Sequence, residues 1–401
     1  MLPGSFPISR AITLIAGAWV FLSMRQRRHS GLLGAFVASF VIWAVGSALW
    51  SPDPSRALRR SFSYAELWIL EWLIFAVCFK RDEYKRLLIA CVGGCWVLTI
   101  GILWNFLNGN VSGDGRYTAT GLDPNDAACT IALGVVIAWY ILFKEQDRRS
   151  NWGLLRAALW LFLCSSVLSI ALTGSRGGVI VLSLGCVFLP LQMWRSRRKA
   201  RIILTAGLLA AVALISLSRE RISLGRLETI KHEADGGDWN GRFAVWHCGM
   251  DEVAANPITG VGAGGFSRSV APCLGTDSAA HSTLLEVTAE HGFIGLALFL
   301  GVIATTVWKM RLMQGVDQRF GILLILCWLT AGFALSWENR EVTWLVIGVV
   351  AAMPRAAQTY WYRLVGWGEI LPVIPGVHSS PAIAAPVVSL ANRSADEKHS
   401  Q

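Results

Sequence analysis

Three observations predict an all-α, polytopic transmembrane helical bundle. Hydrophobic residues make up 54% of the 401 positions and charged residues 15%, with a mean hydropathy of +0.50, far too apolar for an ordinary soluble domain. The apolar residues gather into about eleven runs, each roughly long enough to cross a hydrocarbon core of about 30 Å. The cationic residues, which give a net charge of +10, are dealt to alternate loops in the positive-inside pattern of a multi-pass protein. Spread in this way they form no nucleic-acid patch, and no nucleic-acid partner is expected.

The runs lie near 9–24, 31–50, 62–79, 87–107, 126–143, 153–172, 178–194, 202–217, 293–308, 320–337 and 341–353. Arg25-Gln26-Arg27-Arg28 follows the first, with no small-residue cleavage site, so this run is expected to stay in the membrane. Lys80-Arg81 with Lys85-Arg86, Lys144 with Arg148-Arg149, the cluster Arg195 to Arg201, and Lys309 with Arg311 mark the other cytoplasmic loops. That phasing places the N-terminus, 108–125, 173–177, 218–292 and the Glu338-Asn339-Arg340 turn outside and the tail inside. Arg56, Arg59 and Arg60 are the exception, lying on an outer loop. Residues 1–217 thus hold eight spans, 218–292 an outer catalytic segment, 293–354 the last spans and 355–401 a partly disordered cytoplasmic tail rich in proline and charge.

Within the outer segment, Gly241-Arg242 to Val253 reads as an amphipathic helix stopped by Asn256-Pro257. Gly260-Val261-Gly262-Ala263-Gly264-Gly265-Phe266 follows, and close backbone packing or a lid explains it better than a dinucleotide fingerprint, since no strand precedes it. Seven of the nine cysteines fall in spans, as small apolar side chains, while Cys248 and Cys273 share the outer segment and could pair in an oxidising compartment.

The chemistry concentrates at one histidine. Ser278 to Glu290 can form a short helix capped by Asp277 or Ser278 and ended by Gly292, which puts His281 in the first turn. There the helix dipole disfavours imidazolium, and a neutral imidazole suits a general base; a helix-capping or headgroup-binding histidine is the plainer alternative. Thr173-Gly174-Ser175-Arg176-Gly177-Gly178 opens the next helix on the same outer side and suits an anion, with exposed backbone N–H groups and the planar fork of Arg176. A tight turn with a snorkelling arginine is its alternative. Arg242 would add a second cation.

Two arginines and a base above a membrane suit a lipid-linked diphosphate donor, because guanidinium groups can stabilise the leaving diphosphate without a metal. No metal site or cofactor is expected: Asp235-Gly236-Gly237-Asp238 and Asp123-Pro124-Asn125-Asp126 read as turns. Glu71, inside the third span, reads as a structurally paired charge.

His281-Ser282, nine residues, then Gly292-Phe293-Ile294-Gly295 resembles the histidine motif of the bacterial O-antigen ligase family. Gly121-Leu122-Asp123-Pro124-Asn125, Ser175-Arg176-Gly177, Gly241-Arg242 and Asn256-Pro257 to Gly262 are similar to other landmarks of that family and of related O-antigen polymerases. The resemblance covers roughly residues 115–310. It implies a GT-C-like membrane glycosyltransferase, usually of twelve spans, that moves O-antigen from undecaprenyl diphosphate to a sugar hydroxyl of lipid A-core on the periplasmic face, without a metal and with inversion. By position His281 would be the base, Arg176 and Arg242 the diphosphate ligands, and Ser175, Gly177, Ser282 and Gly292 their supports. Polymerases of O-antigen or exopolysaccharide, and the generally longer oligosaccharyltransferases, share this site logic. A non-enzymatic flippase of lipid-linked glycans is a further class, but it should expose polar groups through the spans, which here offer little beyond Glu66 and Glu71.

Overall fold

A computed structural model describes residues 31–78, 80–112, 115–144, 152–193 and 241–364. The runs at 9–24 and 202–217, the Asp235–Asp238 stretch and the tail beyond 364 lie outside the described residues. The chain divides between Trp361 and Tyr362, and every contact discussed here belongs to the first unit.

Each of the other nine runs is a helix: α1 (Leu32–Gly46), α2 (Pro54–Val77), α3 (Arg81–Leu107), α4 (Pro124–Lys144), α5 (Trp152–Leu172) and α6 (Arg176–Met193), then α10 (Thr283–Lys309), α11 (Gly315–Ala334) and α12 (Glu341–Leu364). Between them, outside the spans, come α7 (Arg242–Ala255) and two single turns, α8 (Phe266–Ser269) and α9 (Ala271–Leu274). No strand occurs among the described residues. Six of these helices are long and apolar enough to cross a membrane. The protein is a polytopic all-α membrane protein.

Helix α4 is the hub, with 83% of its apolar window inside the molecule. It packs on α3, α5, α6 and α11, and small residues permit the close approach expected of helices in lipid. A Cβ on Gly178 of α6 would come within 2.5 Å of Ala128 Cβ on α4. Asp-Pro starts both α2 and α4 by one device: the proline occupies the first helical position, and the aspartate accepts from the backbone N–H three residues on, Asp53 from Arg56 at 3.0 Å and Asp123 from Asp126 at 3.2 Å.

Two sequence expectations change. Arg56, Arg59 and Arg60 sit in the first two turns of α2, not on a loop. Arg60 is held there by partners far along the chain: Glu286 at 3.4 Å, Glu290 at 3.9 Å and Glu338 at 3.7 Å, all three buried. The helix expected from Ser278 begins instead at Thr283, so His281 precedes it. The Thr283 hydroxyl donates to Leu335 O (2.8 Å) and accepts from Trp337 N–H (2.9 Å), which pins the start of α10 to the turn before α12.

At Gly292, α10 breaks, with φ 64° and ψ −170°, a conformation almost restricted to glycine. The carbonyls of Ala289 and Glu290, freed by the break, accept from Val261 and Gly262 N–H at 2.9 Å each. On the other side, Phe293 N–H donates to Pro257 O at 2.8 Å. The glycine-rich stretch 260–265 is therefore a backbone plug in a broken helix, the packing alternative of the sequence reading. Glu290 strengthens it by accepting from Gly264 N–H at 2.7 Å. The kink is tolerated because backbone groups it frees find partners, the His291 carbonyl among them, which accepts from the Trp43 indole N–H at 2.9 Å.

Candidate functional site

His281 lies two residues before α10 with φ 49°, the one non-glycine residue at positive φ among the described residues. Ser282 occupies the helix N-cap position, its backbone oxygen accepting from Glu286 N–H at 3.0 Å, while its side chain makes no cap bond. Helix α7, outside the spans, is capped at its C-terminus by Asn256, as the sequence predicts. It is bound to the histidine segment by Trp246, whose indole N–H donates to the carbonyl of Ala280, the residue before His281, at 2.9 Å. Arg242 stands one turn before Trp246, on the same face of α7. Cys248 of α7 and Cys273 of α9 form a disulfide, with Cα atoms 6.0 Å apart, so the pairing left open by the sequence is made.

The three site residues named from sequence converge at one end of the bundle. Arg242 is an electrostatic neighbour of both Arg176 and His281. Burial, then the Arg242 charge, holds His281 below its usual value; Asp123, Glu286 and Asp126 pull the other way. Its neutrality near pH 7 thus has a different cause from the helix dipole inferred from sequence. Burial also lowers Arg242, partly offset by Asp123 and reinforced by Arg176.

The Thr173–Gly178 turn departs from an open anion cradle. Ser175 is buried, and its Oγ accepts from Gly178 N–H at 3.2 Å, while Thr173 Oγ1 accepts from Ser175 N–H at 3.2 Å. Two of the turn's N–H groups are thereby used in capping α6. Arg176, the first residue of α6, is half-buried. Gly177 faces Cys129 and Ala334 with room for a Cβ, so its role is not steric. Gly292, by contrast, is the break in α10.

Several residues escaped the sequence reading. Arg116 is buried, donating from Nε to Thr173 O at 2.7 Å and from Nη2 to Asn125 Oδ1 at 2.8 Å, and so locks the Arg176 turn to the start of α4. Its one sequence signal is an arginine directly before an uncharged stretch, Tyr117 to Leu122. Asp126 accepts from Trp337 Nε1 at 2.9 Å and meets Arg340 at 3.2 Å, joining α4 to the turn that carries Glu338. Asp123 was read as a turn residue, and it is one, yet it also faces Arg242 and His281. Inside the spans, Glu71 is completely buried, and although Lys309 is an electrostatic neighbour, neither carboxylate oxygen has a hydrogen-bond partner among the described residues, so the structural pairing expected from sequence is not made as a bond.

A multi-pass helical membrane protein, with a histidine and two arginines gathered where a helix outside the spans is strapped to a broken span, is the class this architecture defines. Residues 157–300 match the family model described as O-antigen ligase. The exopolysaccharide production protein ExoQ of Rhizobium meliloti (strain 1021) is 26% identical over 319 residues, which are 72% of this chain and 68% of that protein. The resemblance drawn from His281 and its glycines holds, and Ser175, Arg176, Arg242, His281 and Gly292 all lie inside the matched stretch. The chain is a membrane enzyme of the polysaccharide ligase or polymerase type.

Proposed function

We propose that the protein is an O-antigen ligase: it transfers a glycan from undecaprenyl diphosphate to a sugar hydroxyl of lipid A-core, at the periplasmic face of the inner membrane. The observation that carries this reading is the convergence of His281 with Arg242 and of Arg242 with Arg176. In the reaction the acceptor oxygen attacks the anomeric carbon, its proton passes to neutral His281, and the bond to the diphosphate breaks with its electron pair leaving on the diphosphate oxygen. Arg242 and Arg176 bind that oxygen and its neighbours, where charge grows as the bond breaks. Two guanidinium groups near one another repel unless an anion lies between them, so the pair suits a diphosphate better than a neutral sugar. Direct displacement inverts the anomeric centre.

A second reading, polymerisation of a lipid-linked exopolysaccharide by the same chemistry, is favoured by the similarity to ExoQ. The two differ in the acceptor: a core sugar for the ligase, the end of another lipid-linked glycan for the polymerase. The test is lipopolysaccharide laddering in a ligase-null strain with a matched donor, expressing wild type or His281→Ala at equal protein level. Ligation by wild type, with unligated lipid-linked polymer in the mutant, supports the ligase. Lengthening of the donor without ligation selects the polymerase, and normal ligation by the mutant overturns the assignment of His281.

A further inference from the structure

The arginines that break the positive-inside pattern split into two groups. Arg60 turns inward to three buried glutamates. Among the described residues, Arg56 and Arg59, on the same two turns of α2, meet no such buried glutamates. Arg59 Nη1 donates to Ser55 Oγ at 3.4 Å, and Arg56 lies along the glycine plug, its Cγ 3.5 Å from where a Cβ on Gly264 would stand. Arg268 of α8 joins them, two-thirds exposed and 3.2 Å from Asp53. Asp53 gathers this set: it caps α2 through the Arg56 N–H, accepts from Ser55 Oγ at 2.9 Å, and feels the charges of Arg268 and Arg59. Among the described residues it is the one carboxylate bonded to any of the three, so the patch keeps a surplus of two positive charges.

The patch also has a defined level. Leu58 and Phe62, one turn apart on α2, are about half exposed, and Leu49 just before α2 is 90% exposed. Apolar side chains uncovered at the end of a bundle face acyl chains, and arginines beside them stand at headgroup height. Arg60 and its contact with Glu286, which acts on His281, put the patch at the same end as the candidate site.

We propose that Arg56, Arg59 and Arg268 form a docking site for the headgroup of a lipid bearing a phosphate monoester or diphosphate, held beside the transfer site. The occupant is a lipid rather than free phosphate, because the apolar rim is continuous with the cationic one. A surplus of two charges matches a monoester, which carries about −1.5 to −2 at pH 7, better than a singly charged diester. The site is distinct from the Arg176–Arg242 pair, and it stands whether or not the transfer reading holds.

The test is native mass spectrometry of the full chain in detergent, titrated with phosphatidic acid, phosphatidylglycerol or phosphatidylcholine, each with and without excess inorganic phosphate. Wild type is expected to bind phosphatidic acid about 10-fold more tightly than phosphatidylglycerol, and inorganic phosphate should not displace it. R56Q/R59Q/R268Q should lose that preference, while R56K/R59K/R268K, which keeps the charges, and K85Q/R86Q, at the far end of the bundle, should retain it. A preference that survives the glutamine triple, that is lost equally in K85Q/R86Q, or that inorganic phosphate abolishes overturns the proposal.

Discussion

Gly292 and Ile258 are in backbone contact: a Cβ on Gly292 would fall on the Ile258 carbonyl, closer than any real contact allows. The positive φ of Gly292 adds strain for any L side chain. Gly292→Ala therefore has no relaxed solution short of expelling the 257–262 plug. We expect a loss of about 2–5 kcal/mol, from combined overpacking and backbone strain, and little folded protein. Gly177→Ala is the control, since its Cβ would meet nothing nearer than 3.7 Å. Equal thermal stability of the two variants would contradict the plug.

Charge at the other end of that plug is tested by Arg60→Leu. Its removal leaves Glu286, Glu290 and Glu338 buried without their shared cation, and breaking a buried ion network in this way costs about 3–5 kcal/mol. The expected readout is a large fall in unfolding midpoint, partly recovered in Arg60→Leu with Glu338→Gln. A neutral Arg60→Leu would mean that the glutamates find other partners.

The pH dependence of transfer should follow His281. Its conjugate acid is depressed by burial and Arg242, so the base form persists to below the reference value of about 6.5 and activity is lost only as pH falls further. Arg242→Gln removes a cation and should move this acid limb up in pH, besides lowering the rate. Asp123→Asn removes an anion and should move it down. The same depression makes His281 a source of acid lability: between its folded and unfolded values the unfolded chain binds more protons, so stability rises with pH in that window. A limb in kcat/KM unmoved by both substitutions would remove His281 from the proton transfer.

Outer helix α7 depends on its disulfide. The Cys248–Cys273 bridge closes a loop of 25 residues in sequence, for which chain-entropy reasoning gives about 3 kcal/mol. Cys248→Ser with Cys273→Ser should lower stability by about that amount and weaken donor binding more than the chemical step, since Arg242 lies on the helix so released. The split between KM and kcat, measured with and without reductant on wild type, checks this.

Most of the spans were legible, because long apolar runs carry their own signal. Residues whose partners are remote were not. Arg60 looks like a loop residue until Glu338, far along the chain, is brought beside it. The start of α10 was misplaced because Ser278 is as good a local cap as Ser282, and the decision is made by Thr283 gripping Leu335 and Trp337. His281, Arg176 and Arg242 stand out in the sequence through local patterns of charge and glycine, and the structure makes Arg242 an electrostatic neighbour of the other two. Arg116, which holds the Arg176 turn in place, was missed because its function is to bond backbone carbonyl and amide groups in two other turns.

The seal at Gly292 has a mechanical meaning. Because 257–262 follow directly from α7 and are stitched into α10 by four backbone groups, the helix bearing Arg242 and the span that follows His281 behave as one rigid bracket. A bracket does not close over its cargo. On the proposed transfer reading, donor and acceptor would then meet by lateral diffusion in the membrane rather than by closure of α7, and a long glycan could hang free while only its first sugar is held.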